Sequence, residues 1–412
     1  MSEQQDQFNQ AFCEHTGISE DCRYDMNCIK NNLPNVNELN MRLSDTSYFT
    51  DLSWRLLGRY IANNNQLEKV DLLCCGITDE IMASLFGELT YSTSLVYLTL
   101  CGNNIGIEGI RSMIPFLQNS PNLSSIGFNG HNNFNSECFT VLIQALQNTR
   151  VWRLEFQDCN ITNISALELY ALPNLNVITF HGNNIGREGC RTLANILQKK
   201  DTRLSYLFLD NTGIDDEGAE IIANSLKHNT KLKTLHLVDN NQITEKGFKV
   251  FLKLLVDVSS VESTYNSNHT LNELRVPKTS MGSYINAALH MNKTNTNSEA
   301  TGRAKVIEYQ LNSQTRKKLC ELQDIEYCSV GTLYADIEPV LLPGILALIG
   351  GNHSQCELYT ALIQMVPDLL SCIDRNSMIK DEMARNTAQM AKLDRQLAVL
   401  SARNDLPSRM LD

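Results

Sequence analysis

One arrangement of apolar residues recurs eight times between residues 36 and 275, and it constrains the fold of this chain more than any other feature. The two cleanest copies read Leu95-x-x-Leu98-x-Leu100-x-x-Asn103-x-Ile105 and Leu175-x-x-Ile178-x-Phe180-x-x-Asn183-x-Ile185. Apolar residues that alternate in this way predict a half-buried strand. Because one such unit cannot bury its apolar face alone, the pattern predicts repeats that stack side by side into a solenoid.

The spacing of the copies predicts a helix after each strand. The first apolar positions are Val36, Leu67, Leu95, Leu123, Val151, Leu175, Leu204, Leu232 and, in degraded form, Val261. Most steps are close to 28 residues, which is long enough for a strand and a full helix. The step from Val151 to Leu175 is shorter by about one helical turn and predicts a notch near residues 160–174.

Glycine and asparagine positions refine this prediction. Glycine stands at the opening of four predicted helices, at Gly109, Gly189, Gly218 and Gly247, where the missing Cβ allows a close approach of the strand layer. The asparagine position of the repeat is occupied instead by Cys75, Cys159 and Thr212 in three copies. Two more copies place asparagine one position later, at Asn132 and Asn241, which predicts a bulge or a longer loop.

These motifs resemble the ribonuclease-inhibitor-like subclass of leucine-rich repeat proteins, which also occurs in the sensing region of NOD-like receptors. The resemblance covers residues 36–275 and implies an α/β fold, a curved horseshoe of strand-helix repeats that binds proteins on its concave face. The segment Asn266 to Leu271 is also similar to the closing repeat of cytosolic leucine-rich repeat proteins of diatoms and related algae. That second similarity implies no activity.

The remaining sequence predicts four regions. Residues 1–35 are expected to form an N-terminal cap, residues 36–275 the solenoid, and residues 276–375 a C-terminal helical cap or small helical domain. Residues 376–412 are expected to form an amphipathic helix, because Met383, Met390 and Leu397 recur seven residues apart. A heptad of this kind predicts either a coiled-coil homodimer through residues 376–400 or a helix that packs back on its neighbours.

Composition narrows the partners and the location. A net charge of -11 without a basic stripe argues against nucleic acid as a partner. The start, Met1 to Asp6, lacks a secretory pattern, and the apolar run from Val340 to Ile349 is interrupted by Pro343 and too short to insert into a membrane. We therefore expect a cytoplasmic protein.

The thirteen cysteines are expected to be reduced in that compartment. Those on repeat positions are expected to pack as small apolar groups, namely Cys74, Cys75, Cys101, Cys159 and Cys190. Before the repeats, Cys13, His15, Cys22 and Cys28 form a looser cluster, which lacks a Cys-x-x-Cys pair. A capping subdomain or a disulfide explains this cluster better than a zinc site.

Motifs for catalysis are missing from the sequence. It contains no phosphate-binding Gly-x-x-x-x-Gly-Lys-Ser/Thr loop, no His-Glu-x-x-His helix and no Gly-x-Ser-x-Gly elbow. The sequence therefore predicts a protein that is not an enzyme and that has no cofactor and no metal.

Strand geometry predicts which side chains face a partner, because residues that alternate with the buried leucines point to the opposite face of the sheet. The predicted partner-binding residues on the concave face are Tyr97, Arg153, Glu155, His181, Tyr206, Phe208, Asp210 and His236. Aromatic anchors are typical of interface hot spots, and Tyr206, Phe208, His181 and His236 fall on neighbouring strands. The alternative is that these residues only cover a solvated sheet face.

Two functions are favoured by this interpretation, and a third is less favoured. The first is a scaffold or adaptor for a protein partner, and the second is an inhibitor or regulator of a specific enzyme, as ribonuclease inhibitor is. The third is a GTPase-activating protein of the Ran type, which shares this repeat class but carries an acidic tail. From residue 376 onward this chain has six basic and five acidic residues, so its tail is not acidic.

Overall fold

The structure is a computed structural model, and it describes residues 7–13, 20–34, 36–42, 46–130, 133–170, 172–276, 281–295, 297–311 and 313–325. The chain divides into two compact units. The first comprises residues 1–256 and 267–298, and the second comprises residues 257–266 and 299–412. The predicted helix of residues 376–412, with its heptad and possible homodimer, lies outside the described residues, as do residues 326–375 of the predicted helical domain.

A nine-stranded parallel sheet organises the first unit, and its strands are hydrogen-bonded in sequence order. The strands are β1 (Glu38–Arg42), β2 (Lys69–Leu73), β3 (Tyr97–Thr99), β4 (Ser125–Asn129), β5 (Arg153–Gln157), β6 (Val177–Thr179), β7 (Tyr206–Phe208), β8 (Thr234–His236) and β9 (Glu273–Arg275). Each strand pairs with the next repeat's strand, so the sheet grows by one strand per repeat and is not closed. This is a leucine-rich repeat solenoid, as the sequence predicts.

Helices connect the strands of the first unit. They are α1 (Glu20–Lys30), α2 (Asp51–Asn63), α3 (Asp79–Glu88), α4 (Ile107–Ser112), α5 (Ile114–Asn119), α6 (Ser136–Ala145), α7 (Ala166–Leu169), α8 (Gly186–Leu197), α9 (Asp216–Ser225), α10 (Glu245–Leu255) and α12 (Gly282–Thr294). The helix of the short repeat, α7, has only four residues, in agreement with the missing turn between Val151 and Leu175. None of the helices among the described residues is long and apolar enough to span a membrane.

The core lies between the sheet and the helices and is continuous from repeat to repeat. The register places Leu98, Ile126, Leu154, Ile178, Leu207 and Leu235 in one line, and each is at most 2% exposed. Beside this line Phe128, Phe156 and Phe180 stack with ring centroids 6.2 and 6.0 Å apart. The predicted strand register and its buried leucines are confirmed.

Asparagine side chains bridge consecutive repeats at the corner after the strand. The Oδ1 atom of Asn103 accepts hydrogen bonds from the backbone N–H groups of Cys75 and Ile77, at 2.9 and 3.1 Å. Its Nδ2 atom donates to the carbonyls of Leu72 and Cys101. Buried backbone groups need such partners, so one asparagine satisfies the corners of two repeats.

Each repeat that has cysteine or threonine at the asparagine position is followed by a repeat that has asparagine there. Asn183 accepts from the backbone of the Cys159 corner, and Asn240 accepts from the backbone of the Thr212 corner. The thiol of Cys159 donates to the carbonyl of Phe128 at 2.9 Å. A small side chain with one hydrogen-bond donor is therefore sufficient at this position, because the asparagine of the next repeat accepts from the backbone of the corner.

Two predicted positions are wrong. The bridging residue of the eighth copy is Asn240 and not Asn241, because Asn240 makes the hydrogen bonds to the preceding corner and the extra residue follows it. The last repeat begins at Leu271 and not at Val261, because β9 pairs Leu274 with Leu235. Val261 begins α11 (Val261–Tyr265), a short helix of the second unit. Asn132 lies outside the described residues.

Close packing explains the glycines that open the helices. An ideal Cβ built on Gly189 would stand 2.6 Å from Cβ of Ile185, and one on Gly247 would stand 2.5 Å from Oδ1 of Asp216. Real side chains do not approach so closely. The close approach at these glycines is therefore to the preceding loop and to the helix of the neighbouring repeat, and not to the strand layer as the sequence predicts.

Replacement of Gly189 by alanine is expected to destabilise the solenoid by about 1–3 kcal/mol, because a methyl group would overpack the buried contact with Ile185. Gly87 in α3 is the matched control, since a Cβ there meets no atom within 4 Å. Gly87→Ala should raise the free energy of unfolding by about 0.5 kcal/mol through helix propensity. Urea unfolding of both variants gives the two values, and equal effects would contradict the close approach.

The residues before β1 contribute aromatic rings to the first unit. A π-helical segment (Asn9–Cys13) follows Phe8, and the ring of Phe12 packs edge-on against Phe49 at 5.4 Å. The hydroxyl of Ser53 donates to the carbonyl of Ala11 at 3.0 Å. These contacts cover the apolar start of the solenoid, which is the role expected of a cap.

The described part of the second unit is helical. It contains α11, α13 (Ser298–Val306), a π-helical segment (Ile307–Leu311) and α14 (Ser313–Leu322). The side-chain amide of Gln310 donates through Nε2 to the carbonyl of Ser260 at 3.0 Å and to Oγ1 of Thr264 at 2.6 Å. Burial lowers the pKa of Lys305 to about 7.

Candidate functional site on the open sheet face

The candidate site is the face of the sheet that points away from the core, which we call the open sheet face. In a three-residue strand the middle residue is buried and its two neighbours point to this face. The register aligns Lys69, Tyr97, Ser125, Arg153, Val177, Tyr206, Thr234 and Glu273 in one row, and Asp71, Thr99, Gly127, Glu155, Thr179, Phe208, His236 and Arg275 in the next. The predicted alignment is confirmed for strands β2 to β8.

Three strands of this face carry an ion pair between their own side chains, and Lys69 on β2 also lies 3.6 Å from Glu38 on β1. Nζ of Lys69 lies 2.9 Å from Oδ2 of Asp71, and Nε of Arg153 lies 2.6 Å from Oε1 of Glu155. On β9 the corresponding pair is Arg275 with Glu273, at 2.7 Å. Such exposed pairs contribute little to stability. Because each pair neutralises its own charges, the open sheet face has no large area of a single charge sign among these residues.

The densest group of side chains on this face spans β7, β8 and β9. The ring of Phe208 meets the His236 imidazole edge-on, with centroids 4.7 Å apart. Nε2 of His236 lies 3.3 Å from Oε1 of Glu273, and Nδ1 lies 3.8 Å from Oδ2 of Asp210. Beside them Tyr206 is 38% exposed. We call Tyr206, Phe208, Asp210, His236 and Glu273 the β7–β9 cluster.

Hydrogen bonds fix the cluster in place. The Oδ1 atom of Asp210 accepts from the backbone N–H of Val238 at 2.7 Å, and His236 has a side-chain exposure of only 11%. Burial raises the pKa of Glu273, but its hydrogen bonds from Arg275 and His236 outweigh this effect and hold the pKa below its usual value. The carboxylate of Glu273 is therefore charged at neutral pH.

The other predicted site residues lie on β3, β5 and the end of β6, and the register of β6 and β7 aligns His181 with Asp210. His181 follows β6, where the adjacent Gly182 donates its N–H to the carbonyl of Asp210 at 3.0 Å. Arg153 and Glu155 lie on β5, two strands from β7, and Tyr97 lies on β3. At the usual strand spacing of about 4.8 Å, Tyr97 is roughly 19 Å from Tyr206. Of the eight predicted residues, Phe208, Asp210 and His236 are joined by side-chain contacts with Tyr206 beside them, whereas Tyr97, Arg153 and Glu155 lie on more distant strands.

Sequence reasoning missed Glu273, because the last repeat was expected to begin at Val261. A signal was present in the chain. Asn64 and Asn229 each accept hydrogen bonds from the backbone of the leucine three residues later, and Asn268 does the same for Leu271. The pattern Asn-x-x-Leu therefore locates the start of the ninth strand.

The cysteines on the repeat positions differ in burial. Cys75, Cys159 and Cys190 are buried, reduced thiols, as predicted, whereas Cys74 is exposed and the prediction that it packs is wrong. Cys74 adopts a left-handed φ of 52° that turns it out of the core. Burial raises the pKa of Cys101 to about 11, so this thiol stays protonated at neutral pH.

The cysteines before the repeats are described in part. Cys22 and Cys28 lie buried in α1 as reduced thiols, and His15 lies outside the described residues. The expectation of a disulfide is wrong for these two cysteines. No group of three or more metal-ligating side chains that could hold an ion occurs in the part of the chain that the structure describes.

Comparison with known proteins supports the repeat assignment. The family model described as Leucine Rich repeat matches residues 63–86 and 228–251, and no curated protein matches the sequence. Similar solved structures include leiomodin-1 actin-binding site 2, which is 18% identical with a TM-score of 0.30 and covers 33% of this chain and 78% of that chain.

Two further solved structures are similar to this chain. The tropomodulin C-terminal domain of Caenorhabditis elegans is 15% identical with a TM-score of 0.28, over 36% of this chain and 87% of that chain. The Rad7 and Elc1 complex of yeast gives 12% identity and a TM-score of 0.28, over 62% of this chain and 80% of that chain. Leucine-rich repeat domains generally mediate protein–protein interaction and are typically non-catalytic.

Proposed function

We propose that this chain is a non-catalytic scaffold or adaptor that holds a protein partner on its open sheet face, centred on the β7–β9 cluster. The observation that carries the proposal is the contact between Phe208 and His236, which are held edge-on at 4.7 Å beside the exposed ring of Tyr206. Aromatic residues with fixed neighbours are the usual anchors of protein interfaces.

Preorganisation strengthens this proposal. Asp210 and Glu273 flank the His236 ring on both nitrogens, so its orientation is set before a partner arrives. Binding then costs little side-chain entropy. The carboxylates of the cluster also offer acceptors at its rim, where a partner's amide or hydroxyl groups can donate hydrogen bonds.

The proposal includes a cytoplasmic location and a fold similar to ribonuclease inhibitor. The reduced thiols at Cys75, Cys159 and Cys190 suit a reducing compartment. The repeat length near 28 residues, with a helix after each strand, supports the ribonuclease-inhibitor-like subclass. Inhibition of a specific enzyme stays the alternative, and it is tested by assaying any enzyme that the chain captures.

Replacement of both Tyr206 and Phe208 by alanine is expected to weaken partner binding by roughly 30-fold or more, because two hot-spot rings are removed. The partner is first identified by capture from native lysate with the parent chain, and its affinity is then measured by calorimetry. The double variant should stay folded, since it loses only the contact with His236, which contributes about 0.5–1.5 kcal/mol.

The matched control replaces Tyr48 and Tyr91 by alanine. These tyrosines are 50% and 42% exposed and lie in connections away from the open sheet face. We expect the control to bind the partner within two-fold of the parent. Equal binding by the parent and by the Tyr206→Ala/Phe208→Ala variant would place the interface elsewhere.

A further inference from the structure

We propose that a second site, at the edge where strands β5, β6 and β7 begin, binds an acidic peptide segment of a protein partner. This edge holds an open cleft of about 570 Å³ lined by Arg150, Trp152, Asn174, Asn176 and Arg203. The site lies outside the β7–β9 cluster and does not depend on the function proposed for that cluster.

Unpaired arginines distinguish this cleft from the rest of the solenoid. In the described parts of residues 46–276, seven arginines form ion pairs with carboxylates: Arg55, Arg59, Arg111, Arg153, Arg187, Arg191 and Arg275. The two remaining arginines of that stretch, Arg150 and Arg203, form no ion pair with a carboxylate of the described residues, and both line the cleft. The guanidinium of Arg203 donates a hydrogen bond to the amide oxygen of Asn174, at 3.4 Å.

The short repeat explains why the cleft exists. Its helix, α7, has four residues, whereas α6 before it and α8 after it have ten and twelve. The connections of the two longer repeats carry Arg150 and Arg203, and the short repeat lies between them with Asn174 and Asn176. Of the residues that line the cleft, Asn174 lies within residues 160–174, where the shortened spacing predicts a notch.

Hydrogen bonds across three repeats hold the cleft open. Nδ2 of Asn174 donates to the carbonyl of Thr149 at 3.1 Å, and Nδ2 of Asn176 donates to the carbonyl of Arg203 at 2.7 Å. These bonds fix the backbone that carries both arginines. A ligand therefore meets a formed site and orders little of the protein when it binds.

Charge and spacing favour an extended acidic peptide. The register places Arg150 and Arg203 two strands apart, so their backbones are about 10 Å from each other. Acidic residues two or three positions apart in an extended peptide span a similar distance. Guanidinium groups bind carboxylates through two parallel hydrogen bonds. The half-buried Trp152, two residues after Arg150 in the chain, also lines the cleft and offers an apolar surface to a side chain of the peptide.

Positively charged residues continue along this edge into the next repeat. Lys231 and Lys233 occupy the positions after Arg203 and Ser205 in the register of β7 and β8, and neither forms an ion pair with a carboxylate of the described residues. Asp201 precedes Arg203 but pairs with neither arginine. Because charges beyond about 10 Å are screened at 0.1 M salt, the net charge of -11 does not cancel this local basic edge.

The test measures fluorescence anisotropy of a labelled peptide, Gly-Glu-Glu-Phe-Glu-Glu-Gly, with the full-length chain at 50 mM salt. We expect binding that weakens as salt is raised and that is at least ten-fold weaker for Arg150→Gln/Arg203→Gln. The same peptide with glutamine in place of glutamate should not bind. The matched control, Arg55→Gln/Arg59→Gln, removes the same charge from the pair with Glu88 and should change binding less than two-fold.

Each result has a defined consequence. Absence of binding to the parent, equal binding by Arg150→Gln/Arg203→Gln, or an equal loss in the control would overturn the proposal. Tighter, arginine-dependent binding of single-stranded DNA than of the peptide would also overturn it in favour of nucleic acid. The Tyr206→Ala/Phe208→Ala variant should bind the acidic peptide normally, so failure of this site and failure of the β7–β9 cluster are distinguishable.

Discussion

Leu207→Asp is expected to unfold several repeats together. Leu207 is fully buried, and the register places it between Ile178 of the preceding strand and Leu235 of the next. A carboxylate at this position would have no partner in a continuous apolar core, which costs more than about 5 kcal/mol. Since each repeat is stabilised by its neighbours, loss of one strand also removes the contacts of the strands on both sides.

Hydrogen exchange checks this expectation at the resolution of single repeats. The backbone amides of β6, β7 and β8 should lose protection in the Leu207→Asp variant. Tyr206→Asp is the matched control, because the same substitution one residue earlier points to the open sheet face, where Tyr206 is 38% exposed. We expect the control to change the free energy of unfolding by less than about 1 kcal/mol. Protection of β7 that is the same in both variants would contradict the register.

The alternation of apolar residues explains why so much of the fold could be predicted. One slip of register would expose every leucine of a strand, so the positions of Leu98, Leu207 and Leu235 leave a single arrangement. The ninth strand was misplaced because Val261 continues the 28-residue spacing by chance, whereas Leu271 follows a longer insertion. The hydrogen bond that Asn268 accepts from Leu271 fixes the start of the last repeat. The spacing of apolar residues does not reveal this bond.

The candidate sites were less predictable for a physical reason. Alternation tells which side chains share a face, and it placed Phe208 and His236 together correctly. It does not tell which charges pair. Arg153 is one of the predicted partner-binding residues, yet its guanidinium is occupied by Glu155 on the same strand. No sequence pattern marks Arg150, and the structure shows that it forms no ion pair with a carboxylate of the described residues.

Asn183→Ala is expected to destabilise the solenoid by about 4 kcal/mol, the second largest effect among these variants. The Oδ1 atom of Asn183 accepts from the N–H groups of Cys159 and Ile161, both at 3.0 Å. Its Nδ2 atom donates to the carbonyls of Phe156 and Phe180, at 2.9 and 3.1 Å. Alanine leaves these buried groups without partners, at a cost of about 1 kcal/mol or more for each.

Two variants separate the roles of the Asn183 amide. Asn183→Thr retains a donor, as Thr212 donates to the carbonyl of Leu209 at 2.7 Å, but its hydroxyl is too short to reach the corner of the preceding repeat. We therefore expect it to recover less than half of the loss in urea unfolding. Asn184→Ala, at the exposed neighbouring asparagine, should change stability by less than about 0.5 kcal/mol. A loss for Asn183→Ala no larger than for Asn184→Ala would show that the corners of the repeats find their hydrogen bonds elsewhere, and the bridge between repeats would then rest on apolar packing alone.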